Sequence, residues 1–439
     1  MNHRAYLALA IPLAISTITT PLLGAVDTAV VGQLPNPAYI GGVAVGTVIF
    51  NTMYWLFGFL RVSTSGFAAQ ASGANDERQS VLALARPFFI ALLVSLGFLL
   101  LQKPIEQAAL ALINPAADVS RFASEYFGIR IWGVPFTLLN YVILGWLMGM
   151  GRIKISVTIQ ILMNVLNIIL ALLFVNVFSW GISGVATATL IAEFFAFALG
   201  VFILWKEPSI RTNLPPLKEI IDSGSFKKMM SVNQDLFIRT LCLLTVFNLF
   251  TMKSASFGTE MLAANAVLFQ IHYLMAYVYD GFSNASSIFA GKAKGANDRE
   301  LYTKTLSLSS QWAVISSVLI AAVYFIFSER IISIFTNIPA VIALAGAYDQ
   351  WLILFPIAAS FGLVLYGLFT GATETAPIRN SMIFALLVFL LALYSLVPLL
   401  GNHGLWLAFL VFSFGRSFFL ALYVPKLNKK YMEWARTVS

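Results

Sequence analysis

The chain of 439 residues is 59% hydrophobic and 10% charged, and its mean hydropathy is +0.85. Because soluble domains carry about a quarter charged residues, this composition excludes an ordinary cytosolic protein, a disordered chain and a fibrous one. The net charge is +8, and the single cysteine, Cys242, excludes an internal disulfide and a cysteine-rich metal site.

Twelve hydrophobic segments follow one another along the chain, and crossing a bilayer takes about 20 mostly apolar residues. They lie near residues 5–33, 40–71, 82–101, 123–149, 155–177, 182–205, 229–252, 261–290, 305–327, 344–371, 379–399 and 404–424. The first segment stays apolar beyond the core of a signal peptide and has no small-residue cleavage site, so we expect a retained helix. The sequence predicts an all-α integral membrane protein with twelve transmembrane helices.

Lysine and arginine are distributed unevenly over the connections between these segments. With the N-terminus in the cytoplasm, 19 of the 27 fall inside and 5, including Arg130, fall outside, while Arg61, Arg239 and Arg416 lie within helices. Because positive residues concentrate in cytoplasmic loops, both termini are predicted to be cytoplasmic. The same distribution explains the positive net charge, so no nucleic-acid partner is expected.

The two halves of the chain repeat each other. At an offset of 222 residues, the GAND segment at 73–76 falls on the same letters at 295–298, and Gly145 and Gly149 fall on Gly367 and Gly371. Six helices in each half give both halves the same orientation, and parallel repeats place a substrate path between them. The predicted organisation is an N-lobe at 1–205, a hydrophilic cytoplasmic linker at 206–228 and a C-lobe at 229–439.

Asp27 is a carboxylate in the outer half of the first predicted helix. It shares a helix face with Thr17, Thr20 and Gly24, and Pro21 beside that face weakens the helix and favours a kink. Because intramembrane carboxylates mark ion pathways, we interpret Asp27 as a group that binds and releases a proton or cation. The alternative is a hydrogen-bonded aspartate that keeps two helices in register.

Polar side chains also form stripes on three other predicted helices. The fifth helix carries Gln160, Asn164 and Asn167, the sixth carries Thr189 and Glu193, and the eighth carries Tyr273, Tyr277 and Asp280. Each stripe either lines a hydrated cavity or joins helices by hydrogen bonds. Asp280 either contacts a cationic substrate or closes a network with a buried base. Asp235 and Arg239, four residues apart, are expected to form a local ion pair.

Three segments together resemble the multidrug and toxic compound extrusion (MATE) family, and its DinF branch in particular. They are PLLGAVDTAVVGQL in the first helix, LRVSTSGFAAQASGAND at the end of the second and GNHGLWLAF before the twelfth. The resemblance implies a secondary antiporter of the inner membrane whose N- and C-lobes form a V-shaped cavity. Such a protein exports cationic or amphipathic compounds against inward H⁺ or Na⁺. It is a monomer without enzymatic activity, a metal or any cofactor besides the coupling ion.

The resemblance also assigns roles to residues. The family's coupling aspartate matches Asp27, and its polar network matches Asn140, Asn164 or Asn167, and Thr189. Protonation of that aspartate is proposed to bend the first helix at a proline, here Pro21, with Gly24 as part of the hinge. Related sequences often have a second acid where this chain has Ala171, which favours H⁺ over Na⁺ because Na⁺ needs several oxygen ligands. The substrate-cavity candidates are Thr20, Asn51, Gln160, Glu193, Tyr273, Tyr277 and Asp280.

Other classes of protein fit the sequence less well. A lipid-linked oligosaccharide flippase of related fold would need a basic cavity, whereas acids balance the three helix arginines. A transporter of the major facilitator type would carry a different pattern after its second helix than GANDERQS. An intramembrane enzyme would need clustered catalytic groups, and His272 and His403 belong to different helical hairpins. A Na⁺-coupled drug exporter also remains an alternative.

Overall fold

The computed structural model describes residues 2–31 and 37–436, and for residues 19–29, 31, 37, 223, 432 and 434–436 it describes the backbone alone. Over this part of the chain the backbone is helical apart from short connections, and it forms no β-strand. Eleven helical segments among the described residues are long and apolar enough to cross a membrane. They coincide with the second to twelfth predicted segments, and the first coincides with helix α1, His3–Val31. The predicted all-α membrane fold is confirmed.

The chain folds into two compact units, which we call unit N and unit C. Unit N comprises Ile18–Met229, and unit C comprises Met1–Thr17 together with Met230–Ser439. The first half of α1 is therefore counted with unit C and the second half with unit N. The lobe bounds of 1–205 and 229–439 stay predictions, as does the cytoplasmic placement of both termini.

The helices of unit N follow the predicted segments with short connections. They are α2 (Pro37–Phe57), α3 (Phe59–Gly73), α4 (Glu77–Leu100), α5 (Gln102–Ile113), α6 (Ala117–Arg130), α7 (Val134–Gly149), α8 (Ile153–Leu172), α9 (Gly181–Trp205), α10 (Pro208–Thr212) and α11 (Leu217–Ile220). A 3₁₀ turn joins α6 to α7, and a π-helical turn follows α8. The short helices α10 and α11 occupy the predicted linker, where Arg78 of α4 forms a salt bridge with Glu219 of α11.

The described helices of unit C include three that are 33 to 37 residues long. They are α12 (Ser223–Ala255), α13 (Thr259–Gly295), α14 (Arg299–Phe335), α15 (Pro339–Gly346), α16 (Asp349–Gly371), α17 (Ala376–Leu400), α18 (Asn402–Ala421) and α19 (Val424–Arg436). Large apolar side chains are exposed on these helices, such as Phe325 at 69% and Leu391 at 72%. Exposed apolar surface of this kind is favourable in contact with lipid and unfavourable in water.

The repeated GAND segment forms the same turn in both units. Its asparagine adopts a left-handed backbone conformation, with φ of 52° at Asn75 and 51° at Asn297. The following aspartate caps the next helix, since Asp76 and Asp298 each accept a hydrogen bond of 2.9 Å from the backbone N–H three residues later. Asparagine tolerates left-handed geometry and aspartate is a strong N-cap, so the repeat encodes a sharp reversal between helices.

The repeated glycines allow two helices to touch at equivalent places in the two units. A Cβ at Gly145 of α7 would overlap the backbone carbonyl oxygen of Arg61 on α3. A Cβ at Gly367 of α16 would overlap that of Ser283 on α13, the same pair shifted by 222 positions. The absence of a side chain therefore permits backbone contact between these helices.

The GNHGLWLAF segment has a packing role at the start of α18. Asn402 and Asn265 of α13 exchange two side-chain hydrogen bonds of 2.7 and 3.0 Å. The indole of Trp406 donates a third hydrogen bond of 2.9 Å to Asn265 Oδ1. All three residues are buried, so this motif joins α13 to α18 within unit C.

Candidate functional site

A buried ion pair lies at the centre of the polar region of unit N. Arg130 Nη1 at the end of α6 is 2.9 Å from Glu193 Oε1 on α9, and the side chains are 7% and 8% exposed. The guanidinium carbon of Arg130 lies 5.0 Å from the centroid of the Phe50 ring. A Cβ at Gly133, in the turn that joins α6 to α7, would overlap Glu193 Oε2. The glycine therefore allows the carboxylate to pack directly against this turn.

Two of the residues matched to the family's polar network lie beside this pair. Asn140 Nδ2 of α7 donates a hydrogen bond of 3.1 Å to the backbone oxygen of Glu193. Thr189 is one turn before Glu193 on α9, and its hydroxyl donates to the Val185 carbonyl oxygen of the same helix. The structure thus brings Asn140, Thr189 and Glu193 together where α7 packs on α9.

Several buried oxygens in this region accept no hydrogen bond from a described residue. They are Asn140 Oδ1, Asn167 Oδ1 and Glu193 Oε2, on the adjacent helices α7, α8 and α9. Burying an acceptor without a donor is costly. Oxygens of this type are suited to interact with a proton donor or a small cation inside the membrane.

The predicted polar stripe on α8 is largely buried in the interior of unit N. Asn164 and Asn167 are buried and Gln160 is half-buried, whereas Asn51 of α2 is exposed. One turn further along α8, Ala171 is fully buried in an apolar cluster. The position where related sequences have a second acid therefore offers no oxygen ligand here.

Four predicted residues lie outside the described side chains. Thr20, Pro21, Gly24 and Asp27 belong to the stretch of α1 for which the backbone alone is described. Their roles in coupling, bending and substrate contact stay predictions. Among the described residues, no group of three or more His, Cys, Asp or Glu side chains is placed to hold a metal ion.

The candidate residues of unit C lie on one half-buried face of α13. Tyr273, Tyr277 and Asp280 share this face, as their spacing predicted. On α12, the guanidinium carbon of Arg239 lies 4.3 Å from the centroid of the Tyr366 ring on α16. A charged group of α12 and an aromatic group of α16 therefore meet within this unit.

The prediction of a local ion pair between Asp235 and Arg239 is wrong. Asp235 Oδ1 accepts a hydrogen bond of 2.7 Å from Arg379 Nη1, and its Oδ2 accepts one of 2.8 Å from the hydroxyl of Thr375. These partners lie at the beginning of α17. Arg239 instead stacks on the Tyr366 ring. The spacing along α12 therefore did not identify the partner of either residue.

Sequence reasoning also misplaced Arg130 by counting it with the outside connections. The residue lies within the apolar segment Ala117–Gly149 and is buried. The signal was its position in the apolar run IRIWGVPF, where a charge needs a partner. Pairing with Glu193 also gives that carboxylate a structural partner in addition to its predicted place in a substrate cavity.

Comparison with known proteins identifies the family. Residues 12–173 and 236–394 match the MatE family model. The chain is 35% identical over 420 residues to DNA damage-inducible protein F of Escherichia coli K12, covering 96% of this chain and 91% of that protein. It is 21% identical over 440 residues to a probable multidrug resistance protein NorM of Listeria monocytogenes serovar 1/2a, covering 97% and 95%.

The fold agrees with this assignment. A crystal structure of MATE in the bent conformation has a TM-score of 0.89 to this chain at 19% identity, covering 98% of this chain and 96% of that one. Together with the eleven apolar helical segments found among the described residues, these similarities define a multi-pass membrane protein. The chain belongs to the MatE family, the multidrug and toxic compound extrusion transporters.

Proposed function

We propose that the protein is an antiporter that exports cationic or amphipathic toxic compounds from the cell, driven by inward H⁺, with Asp27 as the proton carrier. The observation that carries this proposal concerns the other buried carboxylates described in unit N. Glu106 is 2.9 Å from Lys103 Nζ, and Glu193 is 2.9 Å from Arg130 Nη1. Each of these two carboxylates is therefore already held by a basic side chain of the same unit. Asp27 of the family motif is the remaining candidate.

The surroundings of Ala171 favour H⁺ over Na⁺ as the coupling ion. A Na⁺ site needs several oxygen ligands, as do the related hard cations. Ala171 packs against Phe174 and Ala188, so this turn of α8 supplies only apolar atoms. A proton needs a single carboxylate, which Asp27 provides.

The proposed coupling links the charge of Asp27 to the shape of α1. Neutralising a carboxylate removes the attraction that holds it near the polar groups of unit N, among which Asn140 and Thr189 are our candidates. Pro21 lacks the N–H that would bond the carbonyl four residues earlier, so the helix can bend there when that attraction is lost. A relative of the same fold has been crystallised in a conformation described as bent.

The test is transport of a fluorescent cationic dye in proteoliposomes with separately imposed H⁺ and Na⁺ gradients. We expect dye movement to follow the H⁺ gradient and to disappear in Asp27→Asn. The control is Asp118→Asn, which removes an exposed carboxylate of unit N and should leave transport unchanged.

Three results would contradict parts of the proposal. Dye movement that follows only the Na⁺ gradient would overturn the coupling ion while keeping the exporter. Full H⁺-driven transport by Asp27→Asn would exclude Asp27 as the carrier. Gradient-independent behaviour with a broad panel of dyes would favour the lipid-linked oligosaccharide flippase.

A further inference from the structure

Two arginines inside unit C form no salt bridge with any described residue. Arg416 of α18 is only 9% exposed, and Arg239 of α12 has a buried Nε that makes no hydrogen bond. Arg239 lies against the ring of Tyr366 on α16, and α16 packs against α18, the helix that carries Arg416. Buried like charges are unfavourable unless negative groups neutralise both of them.

The described surroundings supply one negative charge for these two positive charges. Asp280 lies on α13, which packs against α16 as α18 does, and it is the acid that attracts Arg416. His272 also interacts with Arg416 but contributes no negative charge. Asp235, the other acid near this end of α12, is bound to Arg379. The cluster of Arg239, Asp280 and Arg416 therefore has a net charge of one positive unit, so the expected balance of the helix arginines by acids does not hold within it.

Aromatic surface adjoins this positive charge. The Tyr366 ring centroid is 4.3 Å from the guanidinium carbon of Arg239. Tyr273 and Tyr277 lie on the same face of α13 as Asp280, and these three side chains are half-buried. A molecule that reaches the arginines would therefore also contact tyrosine rings, which favour an aromatic or apolar body.

We propose that the cluster of Arg239, Asp280 and Arg416 binds the oxyanion of an amphipathic compound, namely a carboxylate, sulfonate or phosphate. The planar guanidinium groups match the geometry of such oxyanions, and the ligand supplies the second negative charge. The tyrosine rings bind its apolar body. This site goes beyond the proposed export of cations and does not rest on the identity of the coupling ion, because it belongs to unit C alone.

Binding of two matched probes tests the proposal. Pyrene-1-sulfonate and pyrene-1-methylammonium share one aromatic body and carry opposite charges. Each is titrated calorimetrically into the full-length protein in phosphatidylcholine nanodiscs, with the heat of empty nanodiscs subtracted. We expect Arg239→Gln and Arg416→Gln each to weaken sulfonate binding by about tenfold or more, since hydrogen bonds to charged groups are the strong ones.

A variant that is expected to tighten sulfonate binding separates the loss of this site from a general loss of structure. Asp280→Asn removes the negative charge of the cluster, so it should tighten sulfonate binding, which misfolding cannot do. Arg330→Gln, which removes an exposed positive charge of the same unit, should leave sulfonate binding unchanged. Wild-type sulfonate affinity in both arginine variants, or weaker sulfonate binding in Asp280→Asn, would overturn the proposal.

The lipid composition of the nanodiscs distinguishes two sources of the oxyanion, a lipid phosphate and a soluble compound. If the site takes a lipid phosphate, phosphatidylglycerol nanodiscs will compete with the sulfonate in the wild type and not in Arg239→Gln. If it takes a soluble compound, the affinity will be the same in both lipids. Either result supports an oxyanion site. Asp27→Asn should keep sulfonate binding while losing H⁺-driven dye export, so the two proposals can fail separately.

Discussion

Neutralising one member of the Arg130–Glu193 pair should destabilise unit N far more than neutralising an exposed pair. In Glu193→Gln, the guanidinium of Arg130 stays buried and loses the carboxylate oxygen that lies 2.9 Å from its Nη1. At an effective dielectric constant of about 20, two unit charges at that distance attract each other by about 6 kcal/mol. Desolvation of both groups offsets part of this attraction, and removing one partner of a buried pair costs about 3–5 kcal/mol.

The free energy of unfolding in mixed micelles, followed by tryptophan fluorescence during titration with SDS, measures this loss. We expect Glu193→Gln to lower it by about 3–5 kcal/mol. The matched control is Glu300→Gln, which breaks the exposed pair between Glu300 and Lys304 and should change the free energy of unfolding very little, because water and salt screen exposed ion pairs. Arg130→Gln combined with Glu193→Gln should cost less than the sum of the two single variants, because neither charge is then left unpaired.

Two results would refute this reasoning. The first is a loss in Glu193→Gln no larger than the loss in the exposed control. The second is strict additivity of the single variants in the double variant, since the two side chains would then not be coupled. Both results would mean that Arg130 finds another counter-charge or reaches water when Glu193 is neutral.

The packing of unit C yields two further predictions, both measured by the same unfolding titration. Gly367→Ala would place a methyl group against the carbonyl oxygen of Ser283, so we expect the free energy of unfolding to fall by about 1–3 kcal/mol. The control Gly97→Ala has open space around the added methyl group and should not destabilise the protein. Equal losses in the two variants would contradict the proposed contact. Asn265→Ala would leave the buried side-chain amide of Asn402 without its hydrogen-bond partner, so we expect a loss of about 1–3 kcal/mol. The double variant Asn265→Ala with Asn402→Ala should lose less than the sum of the two single variants.

The number and order of the helices could be predicted from the sequence because a bilayer demands long apolar segments. Each of the twelve predicted segments coincides with a helical segment in the structure. The repeat was visible for a related reason, since GAND encodes a local turn that needs a left-handed residue followed by a cap. Asn75 and Asp76 provide both in unit N, and Asn297 and Asp298 do so in unit C.

The amino-acid sequence by itself also identified Thr189 and Glu193 as polar residues in an apolar helix, because a buried polar group is conspicuous against that background, whereas Asn140 was named through the family resemblance alone. Only the tertiary structure decided which charges meet. Asp235 is bound to Arg379, 144 residues away, rather than to Arg239 four residues away. Arg130 reaches Glu193 because α6 packs beside α9. Periodicity defines the face on which a side chain lies, whereas its partner depends on which helix packs against that face.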